Sequence, residues 1–143
     1  MSATERRFPR DITALEEIHE FVELSVAAMS LEPSNSHWVE FVVQELFTNI
    51  VKYSTDGRQD IAVRLALRGD DLVIRVTDRD VKAFDVTKAP EVQIDHWVSQ
   101  DRVGGLGLHL VKQIADKITY EYEKRTSVIT VTRRVETGTE ATS

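Results

Sequence analysis

Apolar residues recur at helical spacing between Ile12 and Met29, where Leu15, Ile18, Val22 and Val26 fall on one side of a 3.6-residue turn. Asp11 or Thr13 is placed to cap this first helix. A second, more apolar stretch follows Pro33, opens on Ser34 or Asn35 and runs to about Tyr53. At 100° per residue its Val39, Val43, Leu46, Phe47, Ile50 and Tyr53 share one broad face, which predicts a helix with that face in the core. Thr55-Asp56-Gly57-Arg58 reads as a turn. The period then changes. Ile61–Leu67 and Leu72–Thr77 read as strands, and Arg68-Gly69-Asp70-Asp71 between them predicts a hairpin. The segment from about Arg79 to Val103 is irregular, and a connection of that length points to a functional loop or a short helix. Gly105 to Lys117 reads as a third helix. Ile118–Glu123 and Val128–Arg134 read as a final hairpin, turning near Arg125-Thr126-Ser127. This order predicts an α+β two-layer sandwich, with helices on one face of a mainly antiparallel sheet.

Composition narrows the classes. A chain of 143 residues with 41% hydrophobic positions is one domain with a core of its own. Residues 1–136 are expected to form that domain, and the small polar tail 137–143 to be flexible. With 18 basic and 24 acidic side chains the net charge is −6, a field that repels nucleic acid and anionic membranes as bulk partners. There is no cysteine, which excludes disulfides and thiolate metal sites. The histidines His19, His37, His96 and His109 lack metal-ligand spacing. No secretory signal or membrane-length apolar run is visible, so a cytoplasmic setting is expected.

Three groups of residues carry candidate chemistry. Glu45, Asn49 and Lys52 stand at i, i+4 and i+7 on the second helix and form a polar row beside its apolar face. An amide oxygen suits Mg²⁺, an ammonium suits a phosphate oxygen, and a carboxylate can take a proton from an attacking hydroxyl. The plainer alternative is a solvated helix edge with a Glu–Lys pairing. Next, Gly104-Gly105-Leu106-Gly107-Leu108 concentrates half of the six glycines just ahead of a strong helical stretch. Glycine costs about 1 kcal/mol relative to alanine inside a helix, so the cluster asks for a reason. Either a phosphate-binding turn at a helix N-terminus or close helix packing supplies one. It is neither a dinucleotide fingerprint nor a P-loop, because no βαβ unit precedes it and no Gly-Lys-Ser/Thr closes it. Finally, Asp78 ends the second strand, where it either accepts from an exocyclic amine such as adenine N6 or starts a turn.

With these groups in order, the chain resembles the GHKL family of ATPases and kinases, and within it the anti-sigma factor serine kinases of the RsbW type. The resemblance runs from about residue 10 to residue 134. It rests on Glu45-Leu-Phe-Thr-Asn-Ile-Val-Lys-Tyr53, on Asp78 through Phe84-Asp85, and on Gly104 through Asp116. It implies the histidine-kinase-like ATPase fold, a two-layer sandwich whose mixed, mainly antiparallel sheet carries three helices on one face. It implies ATP and Mg²⁺ as cofactors, with Glu45 as general base, Asn49 on the metal, Lys52 on phosphate and Asp78 on adenine. Phe84 and Gly104 through Leu108 are implied around the nucleotide, with residues from about Lys88 to Val103 as an ATP lid and Arg102 reaching the γ-phosphate. The implied partners are a sigma factor, which is sequestered, and a STAS-type anti-sigma factor antagonist, which is phosphorylated on serine or threonine. Family likeness also suggests a homodimer, although no interface follows from the residues. One departure stands out: the family usually carries glycine two positions after the adenine-binding aspartate, and here Asp80 occupies it, with one extra residue before Ala83-Phe84-Asp85. Aspartate takes positive φ at higher cost and adds negative charge near a nucleotide. The alternatives are therefore a non-catalytic partner-switching module that binds nucleotide weakly, or a stand-alone histidine-kinase-like ATP-binding domain.

Overall fold

The computed structural model describes residues 2–85 and 103–135. The expected ATP lid, Arg102 and the tail lie outside the described residues, apart from Val103 at the lid's end. Five strands form one sheet in the order β1-β2-β3-β5-β4, comprising β1 (Ser2–Phe8), β2 (Ile61–Arg68), β3 (Asp71–Arg79), β4 (Lys117–Glu123) and β5 (Thr126–Arg134). Among the described residues three helices accompany it: α1 (Leu15–Ala28), α2 (Asn35–Tyr53) and α3 (Val103–Ile114). The α+β class is as expected, and every strand pair among the described residues is antiparallel, so the mixed sheet of the expectation is not what they form.

β1 is a strand that the hydrophobic pattern does not announce. Its sequence, Ser-Ala-Thr-Glu-Arg-Arg-Phe, is largely polar because it forms an edge and has one inward row. Thr4 on that row shares a 2.8 Å hydrogen bond with the buried Ser25 of α1. Phe8 is fully buried and meets Phe21 and Phe47 edge-on, with ring centroids 5.7 and 6.4 Å away. The core lies between the helices and the inner rows of the sheet. Leu72, Ile74, Val76 and Asp78 are the buried alternate residues of β3, and they meet the apolar face of α2, where Val39, Val43, Leu46, Phe47 and Ile50 are buried. Tyr53, expected on that face, is 36% exposed at the last position of the helix.

Caps and turns follow local chemistry. Asp11 accepts from the Thr13 N–H at 3.0 Å and starts a 3-10 turn (Ile12–Ala14) that leads into α1. At α2 neither Ser34 nor Asn35 caps the backbone with its side chain; Asn35 instead accepts from Trp38 Nε1 and donates to the Glu32 carbonyl. The β2–β3 hairpin turns at Gly69, whose φ of +59° is left-handed, with Arg68 paired to Asp71. The β4–β5 hairpin turns one residue earlier than expected, at Lys124-Arg125, with φ of 51° and 59°. Among the described residues, no helix is long and apolar enough to cross a membrane.

Candidate functional site

α2 is the spine of the site. Its apolar face locks it to the sheet, which fixes the direction of the row Glu45, Asn49 and Lys52 along its border. Exposure rises along that row away from the middle residue. Asn49 is 3% exposed, Glu45 is half-buried and Lys52 is exposed. The Asn49 side-chain nitrogen donates to the Glu45 backbone carbonyl at 2.6 Å, so the group Asn49 can offer a cation is its carbonyl oxygen. Lys52 holds its ammonium 5.3 Å from the Tyr53 ring centroid.

Glu45 is the exceptional member. Its Oε1 is buried and has no hydrogen-bond partner. Burial pushes its pKa up from the ordinary carboxylate value, because the charged form loses water without gaining a donor. A half-buried carboxyl with raised proton affinity is the condition a general base requires.

Facing Glu45 is the glycine cluster. Gly104, Gly105 and Gly107 all lie in the first turns of the third helix, since α3 begins at Val103, two residues ahead of the expected Gly105, and ends at Ile114 rather than Lys117. Two causes are visible. Leu108 and Val111 are buried in the core and anchor the helix in spite of its glycines. Any Cβ on Gly107 would overlap the Glu45 carboxyl. Close approach between α2 and α3 therefore explains that glycine. Gly104, Gly105 and Leu106 belong to the same first turns, whose leading N–H groups have no partner within the helix.

At the far end of α2 stands Asp78, 1% exposed. It accepts from Ser54 Oγ at 3.1 Å and from both terminal nitrogens of Arg10, at 2.5 and 3.1 Å. Arg10 is a site residue that the sequence does not signal, because it lies in a short polar connection between β1 and the first cap. Gly57 is explained by it: a Cβ there would collide with the guanidinium.

Asp80 follows on the same strand end. It takes the left-handed conformation with φ 58°, the backbone state that the family's glycine provides at lower cost. Its carboxylate accepts from Arg125 Nε at 2.9 Å, while the Arg125 carbonyl accepts from Val81 N at 3.0 Å and Tyr122 donates to the Val81 carbonyl at 2.7 Å. Phe84 donates its N–H to Tyr120 Oη at 3.1 Å, and its 41%-exposed ring lies 6.4 Å from that of Tyr53.

The structure thus brings Glu45 and Gly107 together beside the middle of α2, with Asn49 one turn further along and Asp78 with Ser54 at the helix's C-terminal end. Among the described residues there is no cluster of three or more His, Cys, Asp or Glu that could hold a metal by itself. Sequence comparison places the chain in a family. Residues 8–133 match the histidine kinase-like ATPase domain. The serine-protein kinases RsbW of Listeria monocytogenes and Listeria innocua are 31% identical over 97 residues, which is 64% of this chain and 61% of theirs. The matched region thus spans about three fifths of the length of those relatives. In three dimensions the fold is similar to the RsbU and RsbW domains of a Mycobacterium tuberculosis protein, with TM-score 0.64 and 17% identity over 94% of this chain and 33% of that one. It is also similar to a structure of the SiaB–SiaC complex from Pseudomonas aeruginosa, with TM-score 0.63 and 16% identity over 91% of this chain and 88% of that one. From its buried sheet-and-helix core to the polar edge of α2, this chain belongs to the histidine kinase-like ATPase domain family.

Proposed function

We propose that the protein is an ATP-dependent serine/threonine kinase of the anti-sigma factor type, which binds a sigma factor and phosphorylates a protein antagonist of STAS type. The observation that carries the reading is the Glu45 carboxyl: half-buried, unbonded at Oε1 and raised in pKa, beside an asparagine whose carbonyl oxygen is its free end. These groups fit a magnesium nucleotide. Mg²⁺ keeps most of its waters and takes one or two protein ligands plus phosphate oxygens, so a single Asn49 is a sufficient anchor. When bound, the metal nucleotide supplies the transferable phosphoryl group and neutralises its charge. Lys52 adds positive charge at the rim, and the first turn of α3 presents N–H groups to an anion. Glu45 accepts the proton of the attacking hydroxyl, and its distance from bulk water keeps that proton affinity high. Asp78 accepts from the base. The relatives named as serine-protein kinases support this assignment, and the solved complex of SiaB with SiaC supports a protein partner.

The deciding experiment is titration with ATP–Mg²⁺ of the wild type beside Asn49→Ala, followed by phosphate transfer to a candidate antagonist. The wild type is expected to bind in the micromolar range or weaker, about −8 kcal/mol or less favourable. The variant is expected to lose most of the Mg²⁺-dependent part. Equal binding by both proteins removes Asn49 from the metal site. A second reading, a partner-switching module with weak nucleotide binding, is favoured by one observation: the base-reading carboxylate is already engaged by Arg10. Binding of the antagonist without any transfer would select it.

A further inference from the structure

Arg10 is held as a ligand is held. Its side chain is 13% exposed and that of Asp78 is 2% exposed. The guanidinium meets the carboxylate two-on-two, Nη1 to Oδ1 at 2.5 Å and Nη2 to Oδ2 at 3.1 Å. Nη1 also donates to the Gln59 carbonyl at 3.1 Å, and Nη2 to the Ser54 carbonyl at 2.8 Å. Gly57 leaves it room that any side chain would remove. Three stretches of chain therefore converge on the planar cation that follows β1: the end of α2, the turn after it and the end of β3. Such a fork is a strong and geometrically specific pair.

The shape of this group matters. A guanidinium is flat and carries N–H donors along its edge. An aminopurine is also flat and presents an N–H donor from its exocyclic amine. Both seek the same acceptor. The Asp78 carboxylate already takes two bonds from Arg10 and one from Ser54 Oγ, and it is almost wholly buried, so it has no solvent-facing side from which a base amine can approach.

We propose that Arg10 is a built-in competitor for the nucleotide base, holding Asp78 when no ligand is present and leaving that carboxylate before a purine amine can bond to it. The proposal rests on the reading of Asp78 as the base acceptor and adds the residue that sets how tightly a base is taken. Affinity is then the intrinsic affinity multiplied by the small fraction of molecules in which the pair is open. The triphosphate end, built on α2 and the start of α3, does not depend on Arg10, so a base-free polyphosphate escapes the competition.

The test uses calorimetry on the full chain with two probes, ATP–Mg²⁺ and inorganic tripolyphosphate–Mg²⁺, for the wild type and for Arg10→Met, which keeps the aliphatic bulk and removes the donors. Arg10→Met is expected to bind ATP at least ~10-fold more tightly and to leave tripolyphosphate binding unchanged. ATP binding by the variant alone, with none by the wild type, is the extreme form of the same result. Should Arg10→Met fail to fold, the wild type gives the answer through the ¹⁵N-resolved guanidinium protons of Arg10. They are expected to be protected from exchange in the free protein, to shift on saturation with ATP, and to stay in place with tripolyphosphate. Equal ATP affinity in both folded proteins, or guanidinium signals unmoved by ATP, overturns the competition and leaves ATP binding standing. No ATP binding by either folded protein overturns the base-acceptor assignment of Asp78 and the competition with it.

Discussion

Asp78 and Glu45 are two carboxylates flanking the same helix, and the fold treats them in opposite ways. Asp78 is almost completely buried and fully bonded, with a guanidinium and a hydroxyl supplying donors. Glu45 is only half-buried, yet its Oε1 has no donor at all. Burial favours the neutral form of Glu45. The difference lies in what surrounds them: polar chain ends converge on Asp78, while Glu45 is pressed against the bare backbone of Gly107. The first environment satisfies its carboxylate, and the second leaves one oxygen unsatisfied. A charged pair in a core is retained at a large desolvation cost, whereas an unpaired carboxyl at its border is tolerated where it has work to do.

The strongest way to break this contrast is to strip the paired carboxylate. Asp78→Ala leaves the Arg10 guanidinium in a nearly buried pocket with carbonyls but no counter-charge, and a loss of about 3–5 kcal/mol is expected, measured as a lower urea midpoint. A loss below about 1 kcal/mol would mean that Arg10 escapes to water and that the pair is not structural.

A smaller change sharpens the other side. Glu45→Gln keeps the shape and removes the charge. Because the folded-state pKa is raised, the native protein holds its proton to higher pH than the unfolded chain does. The contribution of Glu45 to wild-type stability therefore falls as pH rises from the ordinary carboxylate value of about 4.5 through the raised one, and stays lower above it. Glu45→Gln is expected to match the wild type below that window and to be more stable at neutral pH, read as a higher Tm. Phosphate transfer should be lost in the same variant. Identical thermal profiles at pH 4 and pH 7.5 would contradict the orphaned carboxyl.

The smallest expected effect belongs to Gly107→Ala. The new methyl displaces the end of a flexible side chain, and the gain in helix propensity offsets the adjustment, so stability should move by less than about 1 kcal/mol. The signature is in the pH profile instead: with Glu45 pushed toward water, the decline above pH 4.5 should flatten. A persisting decline would place the cause somewhere other than the contact with Gly107.

Much of this architecture could be read from the chain. The helix faces, the β2–β3 hairpin and the polar row of α2 follow from periodicity, because each is written in residues close together in sequence. What escaped detection is non-local or barely apolar. β1 has only Ala3 and Phe8 as apolar residues and becomes a strand by pairing with β2 more than fifty positions away. Arg10 gains its role from Asp78, 68 positions on, and no local pattern joins them. The glycine cluster was legible as special and ambiguous in kind. Winding it into α3 required the burial of Leu108 and Val111, which is a tertiary effect. Tyr53 continues the apolar face in sequence but is the last residue of the helix and is exposed there.

The hairpin tip at Lys124-Arg125 bears on how the neighbourhood of Asp78 moves. Two successive side-chain-bearing residues are wound left-handed there, at about 1–2 kcal/mol each, where an Asn-Gly pair would serve with little strain. In exchange Arg125 is carried across to Asp80, itself left-handed, with Asp56 3.9 Å away. Where relatives of the resembling family have a glycine swivel, this chain has a rivet. The end of β3 is tied by it to the hairpin tip, which leaves that backbone less conformational freedom than an unpaired glycine would.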